Sequence, residues 1–191
     1  MSTKGIAMQR IEKELDEPYK YQYQYCIDSL ATVVQQFSAP KILRFEFTLN
    51  KTIPSCKLID YWSAIHITAD TVSPKITKLT GRFGIRVVVK SPVHKVNLGN
   101  IMKPLLDGII AALHYHGGGH PIPNNLDDRH IKFLMKRNFS ILGERKLVYD
   151  YRNGLMWNPA DELCTEALLL NEFSPELSHP IITAEIYNID Q

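Results

Sequence analysis

TGRFGIRVVVKSPVHKVNLGNIMKPLLDGIIAAL, residues 80–113, contains the change of period that decides the fold. In its first half Phe83, Ile85, Val87 and Val89 fall on one face of an extended chain, and Gly84, Arg86, Val88 and Lys90 fall on the other together with Arg82. From Asn97 onward the period lengthens. At about 100° per residue Asn100, Lys103 and Asp107 share a sector of roughly 60°, while Ile101, Met102, Leu105, Leu106, Ile109, Ile110 and Leu113 fill most of the rest. The stretch predicts a half-buried strand, a loop, and a mostly buried helix with one narrow polar stripe. Pro104 has no amide hydrogen to donate, so the helix is expected to begin with Asn100 as N-cap and Pro104 in its first turn. The stripe is either the helix's only contact with water or the wall of a polar site.

The flanking sequence supplies further elements. ILRFEFTLN (42–50) alternates as a strand, KTIPSCKL ends it in a Pro-containing loop, and WSAIHITA is a weaker strand candidate. Beyond the helix, HYHGGGHPIPNN reads as a loop and LDDRHIKFLMKR as apolar alternation through Ile131, Phe133 and Met135, hence a strand. KLVYDY is one more strand candidate. Asn158-Pro159 with Asp161 and Glu162 in the first turn predicts a helix through LCTEALLLNEF, and HPIITAEIYNI closes the chain as a strand. At the N-terminus, MQRIEKELDE reads as a loose helix, and YKYQYQYCIDSLATVVQQF takes helical spacing in its later part. Tyr19, Tyr21, Tyr23 and Tyr25 could stack on bases or simply pack against a core. The expected fold class is α+β: a single domain with a mixed β-sheet and helices packed on it, residues 41–191, preceded by a helical extension over 1–40.

A chain of 191 residues with 45% hydrophobic and 22% charged content can bury one sizeable core. Its apolar runs are too short to span a bilayer and its N-terminus too charged for a signal peptide, so a cytoplasmic protein with no membrane partner is expected. Cys26, Cys56 and Cys164 are odd in number and far apart, which fits reduced core residues better than disulfides or a metal knuckle. Charge is unevenly spread. Residues 71–106 hold seven Lys or Arg and no acid, whereas residues 150–191 hold eight acids against Arg152. The basic block suits a polyanion such as nucleic acid, and equally a solvated strand face.

Read together, VNLGNIMKPLLDGI and LDDRHIKFLMKR resemble the RusA family of Holliday-junction resolvases, whose pattern is D-x-D-N-x-x-K-x-x-x-D-A/G-L/I followed by D-D-x-Q/H-I and a basic tail. Asn100, Lys103, Asp107, Gly108, Ile109, Asp127, Asp128, His130 and Ile131 match that pattern in order. The resemblance is closest between Arg82 and Arg137. It implies a RusA-like fold, a homodimer, and branched or double-stranded DNA as partner in recombination and repair. It further implies an Mg²⁺-dependent endonuclease in which Lys103 and Asp128 are catalytic, because hard cations take carboxylate oxygens and an ammonium stabilises charge developing on phosphate. Asp128, Asp127, Asp107 and Asn97 would form what remains of the metal site, and Lys90, Lys95, Lys103, Arg129 and Lys132 would contact phosphates.

This chain departs from the pattern where it matters for metal. Asn97-Leu98-Gly99 stands in place of D-x-D, so one carboxylate is an amide and the other has no side chain. The alternatives are therefore a nuclease with an altered site and a catalytically inactive DNA- or protein-binding module. His114, His116 and His120 form H-x-H-x3-H in a long loop and offer replacement imidazole ligands, against the plainer reading of solvated turn residues. The matched residues also have plain readings: Asn100 as a cap, Lys103 and Asp107 as an i,i+4 ion pair, Asp127 and Asp128 as the end of a turn.

Overall fold

The computed structural model describes residues 4–11, 22–29, 41–71, 78–79, 81–136, 140–152 and 154–190. The strands are β1 (Lys4–Ile11), β2 (Gln22–Ser29), β3 (Lys41–Thr48), β4 (Asp70–Thr71), β5 (Phe83–Ser91), β6 (His114–Tyr115), β7 (Gly143–Glu144), β8 (Val148–Tyr151), β9 (Gly154–Trp157), β10 (Cys164–Phe173) and β11 (Ile181–Asn188). The α-helices are α1 (Leu58–Thr68), α2 (Leu98–Ala112) and α3 (Asp128–Leu134), and single 3₁₀ turns lie at Ile53–Ser55 and Asp161–Leu163. Seven strands form one mixed sheet in the order β2-β1-β10-β5-β11-β3-β4, in which β10 and β5 run parallel and the other neighbours antiparallel. The α+β expectation holds. Among the described residues no helix is long and apolar enough to cross a membrane.

The alternation read from residues 83–90 sets the core. Phe83, Ile85, Val87 and Val89 are fully buried and join Leu43, Phe45 and Phe47 of β3, Ile182, Ala184 and Ile186 of β11, and Leu105, Ile109 and Ile110 of α2. Arg86, Val88 and Lys90 stand on the opposite sheet face.

Several local expectations are corrected. The residues of WSAIHITA up to Thr68 belong to α1, not to a strand, because Asp60 at the third helical position turns its carboxylate back to accept from the Lys57 amide at 2.8 Å. LDDRHIKFL is α3, not a strand, because the Asp127 carboxylate caps its first turn, accepting from the His130 amide at 2.9 Å. LCTEALLLNEF is β10. The Asp161 turn stops after three residues, and the leucine run is apolar because both its faces are covered. Leu169 enters the main core, while Leu168 and Leu170 bury on the far face with Ala7 and Val88. The N-terminal segment is not helical where described: Met8–Ile11 lies in β1, which pairs with β10, and β2 pairs with β1. Residues 12–21 and 30–40, including Tyr19, Tyr21 and the rest of the expected helices, lie outside the described residues.

Helix α2 also starts earlier than expected. Asn97, not Asn100, is its N-cap, and Pro104 lies inside the helix. Close packing of α1 on α2 depends on Gly108, where a Cβ would come within 2.7 Å of the Tyr61 Cβ and 3.0 Å of the Leu58 carbonyl. Helix α3 rests on α1 through Phe133 against Trp62, ring centroids 5.9 Å apart, and through a hydrogen bond of 2.9 Å between His130 Nε2 and Ser63 Oγ.

Candidate nucleic-acid interface

Strand β5 leads through residues 92–97 into α2, and the turn between them gathers exposed polar groups. Lys95, Asn97, Gly99, Asn100 and Lys103 are all exposed. The Asn97 side-chain oxygen accepts from the Asn100 amide at 3.3 Å, and the first turn of α2 carries no acid. A Cβ placed on Gly99 would meet only Asn97 Oδ1, at 3.4 Å, so a side chain has room there. The helix start therefore presents amides and lysines where D-x-D would place two negative charges, and the helix dipole adds partial positive charge.

One turn further, Lys103 Nζ lies 3.0 Å from Asp107 and 3.8 Å from Asp161. The Asp107 side chain is 14% exposed against 74% for Lys103. Burial pushes the Asp107 carboxyl up; the hydrogen bond and charge of Lys103 oppose this, and the net shift is upward. The i,i+4 pair read from the sequence is present, with Asp161 as a third member that sequence spacing could not reveal.

Asp127 and Asp128 occupy a different helix start. Asp127 gives one oxygen to the His130 amide and the other to His130 Nδ1 at 2.8 Å. The backbone hydrogen bond from His130 is the chief cause holding its carboxyl below the usual range. Asp128 is exposed in the first turn of α3. Arg129 and Lys132 are exposed on the same helix, with the Arg129 guanidinium 5.7 Å from the Phe133 ring centre.

Among the described residues, no three His, Cys, Asp or Glu side chains gather into a group that could hold a metal ion, so Asp107, Asp127 and Asp128 do not converge on one. Asn97 is engaged as a cap. The three-acid arrangement that the family pattern implies is therefore not assembled among the described residues.

The basic face of β5 has acidic partners. Arg86 faces Glu185 across the β5/β11 ladder, with Nη1 at 3.2 Å, and Glu185 also takes Lys41 at 3.1 Å, Arg44 at 3.7 Å and the Tyr187 hydroxyl at 2.7 Å. Burial alone would raise the Glu185 carboxyl, but the Tyr187 and Lys41 hydrogen bonds and the charges of Lys41 and Arg86 outweigh it and hold it low. Arg82 Nε meets Asp190 at 2.8 Å. The acidic C-terminal segment thus neutralises much of the basic strand. Lys90 shares the far sheet face with Arg86, opposite the face on which α2 packs.

The histidine loop is not a set of solvated turn residues. His114 is buried and His116 is fully buried. His114 Nδ1 lies 3.2 Å from the Gly143 carbonyl and His116 Nε2 3.2 Å from the Pro121 carbonyl. Burial pushes the His114 imidazole down to about 4 and lowers that of His116 as well. His120 turns toward Glu144 at 3.8 Å and meets His116 edge-on, ring centroids 5.4 Å apart, whereas His114 is held apart by the Gly143 carbonyl. Glycines at 117–119 make the segment read as an exposed loop in the sequence, and nothing in the spacing marks the carbonyls that the rings meet.

Cys56 and Cys164 are buried free thiols, in line with the reading of reduced core residues; the side chain of Cys26 lies outside the description. No family model, no curated protein and no solved structure matches this chain.

Proposed function

We propose that this chain is a RusA-type binding protein for branched DNA in which the start of α2 grips backbone phosphate in place of Mg²⁺. The observation that carries the reading is the acid-free first turn of α2, with Asn97, Gly99 and Asn100 exposed between Lys95 and Lys103. In the family pattern that place holds two carboxylates, which would attract a cation and repel a phosphate. Here the same place offers amide hydrogens, a helix N-terminus and Lys95, with Lys103 one turn further on, shared with Asp107 and Asp161, a combination suited to an anion. Arg129 and Lys132 on α3 add further exposed cations. Lys90 contributes less, being on the far sheet face. A homodimer would present two such helix starts to the two-fold symmetry of a four-way junction.

The test is junction binding in a salt series, with cleavage assayed in Mg²⁺ and Mn²⁺. The proposal predicts binding that weakens linearly with the logarithm of salt and no cleavage product. Salt-insensitive binding would point to a protein-interaction module instead, and metal-dependent product would reinstate the nuclease reading with Lys103 and Asp128 as its catalytic residues.

A further inference from the structure

Helices α1 and α3, brought together from positions 67 residues apart, form a chain of hydrogen bonds that the DNA reading does not use. Ser63 Oγ is 2.9 Å from His130 Nε2, and His130 Nδ1 is 2.8 Å from Asp127 Oδ2. The aspartate carboxylate can only accept, so His130 Nδ1 donates to it, and in the neutral imidazole the lone pair of Nε2 is left to face the serine hydroxyl. Both distances lie within the range that links a nucleophile to its base and a base to its orienting group.

The surroundings hold this arrangement. Asp127 is fixed a second time by the His130 amide, so the carboxylate and imidazole are locked together within the first turn of α3. Trp62 and Phe133 flank the imidazole, with ring centroids 5.9 and 6.3 Å away. Ser63 is partly exposed, and on its helix face the residues one turn before and after are Ile59, partly buried, and Ile67, 46% exposed. An apolar group can lie along that face beside the hydroxyl.

We propose that Ser63, His130 and Asp127 act as nucleophile, general base and orienting carboxylate in the hydrolysis of carboxylic esters with an apolar acyl group. Ser63 Oγ forms a bond to the acyl carbon as its proton passes to His130 Nε2. The carbon–oxygen bond to the leaving alcohol breaks, and the alcohol takes the proton from His130. Water then attacks the acyl-serine, giving its proton to His130, and Ser63 recovers that proton as the carboxylic acid departs. Ester and water are the only reactants consumed. The site shares no proposed DNA contact, so either reading can fail without the other.

The experiment is labelling of the full chain with an alkyl fluorophosphonate, followed by peptide mapping, with turnover of p-nitrophenyl butyrate in parallel. The expected result is an adduct on Ser63 that is absent from S63A, forms at least tenfold more slowly in H130A, and is accompanied by ester turnover lost in both variants. S63C guards against a misfolded S63A: its new thiol should be alkylated by iodoacetamide at least tenfold faster than in S63C/H130A. No adduct on Ser63, an adduct whose rate ignores H130A, or equal alkylation of the two S63C proteins would overturn the proposal and leave the three residues as a link between helices.

Discussion

Asn97 spends its side-chain oxygen on the Asn100 amide, and that single choice separates the two roles a helix start can take. A carboxylate at the same place could cap equally well and would favour the helix dipole, so it would be neutral or slightly stabilising for the fold. It would also place a negative charge where we propose a phosphate. Asn97→Asp is therefore expected to keep the unfolding free energy measured in urea or raise it by roughly a few tenths of a kcal/mol, while weakening junction binding in EDTA by roughly threefold to tenfold. Asn97→Ala should do something different: lose about 1 kcal/mol of stability with the cap and leave the charge unchanged. Equal effects of the two substitutions on binding would show that the cap, not the charge, matters. The sequence made Asn97 conspicuous through its place in the family pattern, but assigned the cap to Asn100 because Pro104 was expected in the first turn. The structure instead accepts proline inside the helix, at the cost of one hydrogen bond to the Asn100 carbonyl.

At the scale of elements, what was legible depended on whether burial was one-sided. Strands β5 and β3 were clear because only one face of each enters the main core, and β11, buried on both faces, was legible because its far face carries the polar Thr183 and Glu185. Strand β10 was not, since its continuous apolar run is buried on both faces and periodicity cannot tell such a run from a buried helix. Helices α1 and α3 were misread because Trp62, Ile65, Ile67, Ile131 and Phe133 favour strands locally, and packing against α2 and each other overrides that preference. Their caps, Asp60 and Asp127, were the available signals. The packing itself is testable at Gly108. Alanine is the better helix former, yet its Cβ would press on Tyr61, so Gly108→Ala is expected to destabilise by about 1–3 kcal/mol in urea unfolding. A stabilised variant would mean that α1 and α2 sit further apart than described.

For the molecule as a whole, buried titratable groups set the response to acid. Burial pushes His66 and His114 down to about 4 from an ordinary 6.5, with the Lys136 charge adding to the effect at His66. Both folded values lie below the unfolded one, so the unfolded chain binds protons that the fold refuses. Stability is intact above pH 6.5 and is eroded as pH falls toward 4, by on the order of 3 kcal/mol for each histidine. Glu185, held low by Tyr187, Lys41 and Arg86, extends the loss below its ordinary value of 4.5. Thermal melts at pH 7.5, 6 and 5 should show a falling midpoint, and His66→Phe should flatten the slope. A midpoint constant over that range would contradict the burial of these rings.

The same whole-molecule view explains why net charge was a poor guide to the interface we propose. Arg86 of β5 and Glu185 of β11 are neighbours in the sheet, and Arg82 just before β5 meets Asp190 just after β11, so bases and acids distant in sequence neutralise each other. What remains for the polyanion we propose is the turn into α2 and the exposed face of α3. The most direct measurement is the dissociation constant for a four-way junction between low and physiological salt, in EDTA and again in Mg²⁺. The account predicts in EDTA a linear log–log dependence equivalent to roughly three to five phosphate contacts per protomer, each worth a slope of about 0.9, and no cleavage when Mg²⁺ is added. A flat salt dependence, or cleavage on adding Mg²⁺, would contradict it.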